Sequence, residues 1–220
     1  MRMRVAVVQL NTQDSVAENL GRVRHWVSQA ASAGAQLVTL PENFAFMGEE
    51  AKKRELAEKV DGAFPGPILT ALSETATKHG VWLLGGGMPE RSDDATRPYN
   101  TSVLVDPKGA VAATYRKVHL FDVSLPDGTS LRESAATSAG SEPVTTEVSG
   151  VRLGLSVCYD LRFPELYRRL VDQGARIVTV PSASEGATPW SRRRCRSWPR
   201  RRPSRPSVRA RCSATSTQRR

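Results

Sequence analysis

Three side chains in this sequence can together run acyl transfer: the carboxylate of Glu42, the ammonium of Lys117 and the thiol of Cys158. A thiol attacks a carbonyl or nitrile carbon, a carboxylate takes its proton and later activates water, and an ammonium holds the oxyanion that forms. Each residue also has an ordinary reading when taken alone. Glu42 can be a helix-start or solvated loop acid, Lys117 can carry its charge past apolar neighbours to water, and Cys158 can be a small buried apolar residue. What favours a site is placement, because all three stand at the ends of predicted strands, where open α/β sheets gather ligands. Cys158 lies between a strand over Val151–Val157 and a helix over Pro164–Gln173. Exposure at the sheet edge and a nearby helix N-terminus are expected to lower its pKa and favour thiolate. The backbone N–H of Tyr159 would be a second oxyanion donor.

The elements that must position these groups follow from periodicity. Val5–Leu10 has only Gln9 polar and is predicted to be a buried strand. Leu20, Val23, Val27 and Ala30 fall at helical spacing, and Gly34 stops that helix. Gln36–Leu40 is a second strand ended by Pro41, so the opening is strand–helix–strand with parallel pairing. Glu50 to Val60 is predicted helical, and a further helix carries Leu69, Leu72 and Ala76 before closing at His79-Gly80. Val81–Leu84 is a strand running into Gly85-Gly86-Gly87, which reads as a tight turn because the Lys-Ser/Thr of a phosphate loop does not follow. Thr101–Val105 and Val111–Tyr115 flank Asp106-Pro107-Lys108-Gly109 as a hairpin. Residues 122–143 read as loop, and Ile177–Val180 as a last strand. Gly34–Pro41 and Gly174–Pro181 share five identities in eight positions, which predicts two strand–helix–strand units related by pseudosymmetry. The alternative is that helix–Gly–strand joints look alike because Gly supplies positive φ.

Leu40-Pro41-Glu42-Asn43, Tyr115-Arg116-Lys117-Val118-His119-Leu120 and Cys158-Tyr159-Asp160-Leu161-Arg162-Phe163-Pro164-Glu165-Leu166 resemble, in order, the three signature segments of the nitrilase superfamily of carbon–nitrogen hydrolases. The resemblance runs from about residue 4 to about residue 183. It implies an α/β fold, an αββα sandwich here truncated, and a Glu–Lys–Cys triad carried by Glu42, Lys117 and Cys158. It also implies a second glutamate near the site, at Glu133, although that residue can equally be an ordinary loop acid. True nitrilases tend to carry Trp-Glu where this chain has Tyr159-Asp160. That segment, with Asn43 to Gly48, looks most like bacterial amidases of the deaminated-glutathione type, which act through a Cys thioester and release α-ketoglutarate. An ω-amidase acting on α-ketoglutaramate is the alternative. Arg162 is either a clamp for a substrate carboxylate or half of a structural ion pair. The resemblance implies a small-molecule amide substrate, a tendency to homo-oligomerise, and no metal, nucleotide or organic cofactor.

The charge of +10 is not spread evenly. Trp190 to Arg220 holds twelve of the 32 basic residues and none of the 22 acidic ones, so residues 1–189 carry 20 against 22. Any affinity for nucleic acid is therefore expected from the tail alone, and to be non-specific. The division drawn is an incomplete hydrolase domain over 1–183 and an Arg/Pro/Ser-rich tail over 184–220, predicted disordered because it has too few aliphatic residues to bury a core. The family pattern stops abruptly at Ser182-Ala183, which favours an out-of-frame origin for the tail over a genuine basic nucleic-acid arm. A chain so interrupted is expected to be poorly stable and weakly active or inactive, leaving a non-catalytic domain as the competing reading. Cys158, Cys195 and Cys212 are an odd set and form no disulfide framework. With no signal-like or membrane-length apolar run, a cytoplasmic setting is expected.

Overall fold

The computed structural model of the chain describes residues 3–61, 65–124 and 128–183. The chain divides into two units, Met1–Ala183 and Ser184–Arg220, and all described residues belong to the first. The expectations of a disordered and out-of-frame tail fall outside the described residues.

The helix at the start forms because Ser15 accepts a hydrogen bond from the Glu18 N–H at its first turn, and Leu20, Val23 and Val27 line one face. This helix, α1 (Val16–Ser32), joins β1 (Val5–Val7) to β2 (Leu37–Thr39), and the two strands pair in parallel as the crossover requires. β1 is shorter than predicted and is not buried: Val7 is 82 % exposed. It is the edge strand of its sheet, so an apolar run there has a neighbour on one side only.

β3 (Trp82–Glu90) lies parallel to β2, and β4 (Tyr99–Val105) and β5 (Val111–Arg116) follow antiparallel, giving the order β1-β2-β3-β4-β5. The predicted hairpin is present, held by Asp106, whose carboxylate accepts from the Lys108 and Ala110 N–H groups at 2.8 and 3.0 Å. Gly85-Gly86-Gly87 is no tight turn. It runs inside β3, whose register with β4 shifts between Gly85 and Met88. The glycines are needed for close approach, since a Cβ on Gly86 would lie 2.4 Å from the Leu40 carbonyl oxygen and from Pro181.

The helix predicted over Glu50 to Val60 stops early. α2 covers Glu50–Glu55, and the residues beyond it are drawn to β3, where the Glu58 N–H donates to Pro89 and its carbonyl accepts from Arg91. The Glu58 carboxylate also caps α3 (Pro67–His79), accepting from the Ile68 and Leu69 N–H groups at 2.6 and 2.9 Å. Burial pushes its pKa up against the pull of those two bonds.

Within the stretch read as loop, β6 (Asp122–Ser124) and β7 (Ser130–Arg132) form a two-stranded ladder. Strands of three residues carry too little alternation to be legible. A second sheet follows, ordered β10-β9-β8, from β8 (Val144–Val148), β9 (Val151–Leu155) and β10 (Ile177–Thr179). Between β9 and β10 runs α4 (Pro164–Asp172).

Successive residues of the central strands serve two cores. Val38, Leu83 and Val103 face α1 and α3, packing with Val23, Val27, Leu69 and Leu72. Leu37, Leu84, Leu104 and Tyr115 face the other way, toward Leu153 and Leu155 of the second sheet. α4 covers that sheet's far side, where a Cβ on Gly154 would touch Leu170. The layers are therefore helix, sheet, sheet, helix, as the αββα sandwich requires. The two strand–helix–strand units repeat down to their hydrogen bonds. Gly34 and Gly174 have φ of 82° and 88°. The Ala35 and Ala175 N–H groups close onto Ala30 and Leu170, and the Gln36 and Arg176 N–H groups reach Arg4 and Arg152.

Candidate catalytic site

Both repeat units end at the same place. β2 runs into Pro41-Glu42, and the backbone there is pinned to β3: Glu42 bridges Gly87, and the Asn43 N–H donates to the Gly87 carbonyl at 3.1 Å. β10 runs into Pro181, whose carbonyl accepts from the Cys158 N–H at 2.8 Å. Cys158 itself has φ of 46°, a strained value for a residue with a side chain. Lys117 follows β5, its N–H held by the Asn100 carbonyl at 2.9 Å. Glu42 and Lys117 are buried, and Cys158 is half-buried.

The Glu42 carboxylate is held by three donors. Its Oε1 accepts from Lys117 Nζ at 3.1 Å and from Asn100 Nδ2 at 2.9 Å. Its Oε2 accepts from the Ala183 N–H at 3.0 Å; the Cys158 thiol donates to the Ala183 carbonyl at 3.9 Å, and the charge of Glu42 acts on that thiol. A carboxylate has about four lone-pair directions, so about one is left to receive the Cys158 proton after these three donors. Lys117 Nζ also contacts both oxygens of Glu133, at 3.1 and 2.9 Å. Burial is the largest influence on Lys117 and would lower its pKa, but Glu42 and Glu133 together outweigh it and hold the ammonium above its ordinary value.

Cys158 behaves differently from the sequence expectation. Its pKa is pushed up to about 11, first by burial and then by the charge of Glu42, against a smaller opposing pull from Lys117. At neutral pH the sulfur is a thiol, not a thiolate. A thiol that stays protonated needs a base to remove its proton as it attacks, and Glu42 is the carboxylate whose charge reaches it.

Glu133 sits in a single helical turn, Glu133–Ala135, and its Oε2 also accepts from the Phe121 N–H at 2.6 Å. Tyr159 is half-buried, with its ring edge-on to Phe121 and Phe163 at 4.9 and 5.6 Å. Arg162 is exposed and pairs with no acid among the described residues, so the structural ion pair weighed from sequence is not found among them. The structure thus gathers Glu42, Lys117, Glu133 and Cys158, with Tyr159 beside the sulfur, and leaves Arg162 on the surface. A cavity of about 330 Å³ at Arg54, Arg91 and Pro98 and another of about 460 Å³ along α4 are not lined by this cluster.

A match to the carbon-nitrogen hydrolase family spans residues 4–201. The chain belongs to that family. The deaminated glutathione amidase of Synechocystis is 43% identical over 181 residues, covering 81% of this chain and 65% of that protein. The omega-amidase NIT2 of Danio rerio is 38% identical over 182 residues, covering 83% and 64%. The chain thus spans about 65% of the length of the curated relatives it matches. Among solved structures, an active-site variant of the amidase from Nesterenkonia sp. AN1 superposes with a TM-score of 0.70 at 29% identity, covering 84% of this chain and 68% of that one. In that protein the active-site cysteine carries the product of Michael addition of acrylamide. Among the described residues no helix is long and apolar enough to cross a membrane.

Sequence reasoning missed two polar residues that hold this cluster together. One is Asn100. The other is Asp160, fully buried, which accepts from the Tyr115 hydroxyl at 2.7 Å, the Val157 N–H at 2.8 Å, the His119 N–H at 3.0 Å and His119 Nδ1 at 2.7 Å. It ties the strand end bearing Lys117 to the backbone just before Cys158. Burial and then the charge of Asp160 push the Tyr115 phenol far up, so it stays a donor. For Asp160 the available signal was position, two residues after Cys158; Asn100, 58 positions from the carboxylate it meets, had none.

Proposed function

We propose that this chain carries an amidase site that cleaves a small carboxylate-bearing amide through a Cys158 thioester. The observation that carries the reading is one buried carboxylate, Glu42, paired with the Lys117 ammonium at 3.1 Å and close enough to Cys158 for its charge to act on the thiol. Cys158 Sγ attacks the amide carbon while its proton passes to Glu42. The carbonyl oxygen takes the negative charge beside Lys117 and the Tyr159 N–H. Collapse breaks the C–N bond, and Glu42 returns its proton to the departing nitrogen. Water then adds to the thioester as Glu42 takes a proton, and the acid leaves as the thiol is restored. Glu133 holds Lys117 in place and balances its charge throughout. The likeness to the Synechocystis protein favours the α-keto analogue of glutathione as substrate, with Arg162 as the clamp for a carboxylate. The likeness to the zebrafish protein supports α-ketoglutaramate as the second reading.

Both substrates release α-ketoglutarate, which a coupled dehydrogenase assay measures. Release from the glutathione analogue in preference to α-ketoglutaramate, abolished in Cys158→Ala and Glu42→Gln, is the expected outcome. Release that survives Cys158→Ala, or none from either substrate by folded protein, overturns the proposal.

A further inference from the structure

We infer that Asn100 is a positioning residue for this reaction: its side chain fixes Glu42 and its main chain fixes Lys117, so one residue sets the base and the oxyanion donor relative to each other. The inference rests on the proposed function above. Asn100 is buried on β4, with its carbonyl accepting from the Lys117 N–H at 2.9 Å and its Nδ2 donating to Glu42 Oε1 at 2.9 Å.

The orientation of the amide is settled by charge. Turned over, it would set its oxygen against the Glu42 carboxylate. With nitrogen toward Glu42, Asn100 Oδ1 is left buried and without a partner among the described residues, a cost that the bond to an ionised group offsets. Gly87 makes room for it, since a Cβ there would lie 2.5 Å from Asn100 Oδ1 and 3.3 Å from Glu42 Cγ. The consequence for the chemistry is selective. Asn100 and Lys117 together fill Oε1, and Ala183 takes one direction of Oε2. The direction left on Oε2 is the one open to the proton of Cys158, whose thiol donates to the carbonyl of the same Ala183 at 3.9 Å. Without Asn100 the carboxylate can rotate toward Lys117 and present the wrong lone pair to Cys158.

The test is single-turnover acylation of Cys158 by glutaramate, the monoamide of glutarate, in the full-length chain. Ammonia release and peptide mass of the acyl-cysteine are followed as glutaramate concentration is varied. Because Asn100 touches the base and not the substrate, Asn100→Leu is expected to lower the limiting acylation rate about 10- to 100-fold, as loss of one charge-assisted hydrogen bond would. The half-saturating concentration should not move. Asn100→Asp keeps the shape but sets a carboxylate against Glu42, and two adjacent carboxylates hold one proton between them. The carboxyl it introduces donates only when protonated, so its acylation rate relative to wild type should recover as the pH falls, which a merely structural role would not produce. That comparison is made within one folded variant and stands even if Asn100→Leu fails to fold. Wild-type limiting rates in either variant, or an Asn100→Asp deficit independent of pH, overturn the inference. Glu42→Gln separates the two levels: if it too acylates at the wild-type rate, the base assignment fails. If it is slow while the Asn100 variants are not, only the inference fails.

Discussion

Asp160→Ala should cost more stability than any single hydrogen bond would suggest. The side chain is fully buried and accepts from the Tyr115 hydroxyl, the Val157 and His119 N–H groups and His119 Nδ1. Removing it leaves two backbone donors and one phenol facing a hole. A buried donor left unsatisfied costs about 1–3 kcal/mol, so the three together cost about 3–9 kcal/mol, against a total of roughly 5–15 kcal/mol for a domain. Tyr115→Phe is the control. It removes one of the same bonds while leaving Asp160 its other donors, and should cost about 1–2 kcal/mol. Urea unfolding followed by tryptophan fluorescence compares the two midpoints, and Asp160→Ala should lose at least twice as much as Tyr115→Phe. Equal shifts would mean that Asp160 is not the common acceptor of this junction and that the loop before Cys158 is held by something else.

Alkylation of Cys158 by iodoacetamide, mapped by peptide mass, should be slower than that of free cysteine at pH 7 and still rising past pH 9. The direction follows from a pKa pushed up to about 11 by burial and Glu42, and a plateau by pH 8 would contradict it. Glu58 has a raised folded-state pKa, so its contribution to stability is fully present below the unfolded value of 4.5 and lost as pH rises through the folded one. Thermal melts should therefore show wild type gaining on Glu58→Gln as the pH falls from neutral toward 4.5, and a constant difference would be contrary. Gly86→Ala, with a Cβ 2.4 Å from the Leu40 carbonyl and Pro181, should destabilise by about 1–3 kcal/mol in urea melts, whereas an unchanged midpoint would mean that the strands are not so closely apposed. Lys117→Met leaves Glu42 and Glu133 buried without their counter-charge. It should cost about 3–5 kcal/mol, checked by the same melts.

The parts of the fold legible in the sequence were those with strong local chemistry. Gly34 and Gly174 announce helix ends because they take φ of 82° and 88°. Leu20, Val23 and Val27 announce a helix face because burial repeats with the helical period. Glu42, Lys117 and Cys158 could be grouped because their types complement one another at strand ends. What could not be read depends on partners distant in sequence. The burial of β1 is decided by its edge position, and the early end of α2 by β3, some thirty residues on, whose edge takes up the Glu58 backbone. The pKa of Cys158 follows the same rule. Strand end and helix start suggested a thiolate, but the neighbours that decide it are burial and Glu42, 116 positions away. Asn100 is 58 positions from the carboxylate it holds, and nothing local marks it.

In the proposed reaction Cys158 forms a thioester with Glu42 as its base. The most direct measurement is the mass of the chain, quenched in acid during incubation with α-ketoglutaramate and mapped by peptide. The expected result is an acyl group on Cys158 that disappears on hydroxylamine treatment and is absent from Glu42→Gln. An acyl group on Cys195 or Cys212 instead, or α-ketoglutarate formed by a Cys158→Ala chain, would contradict it.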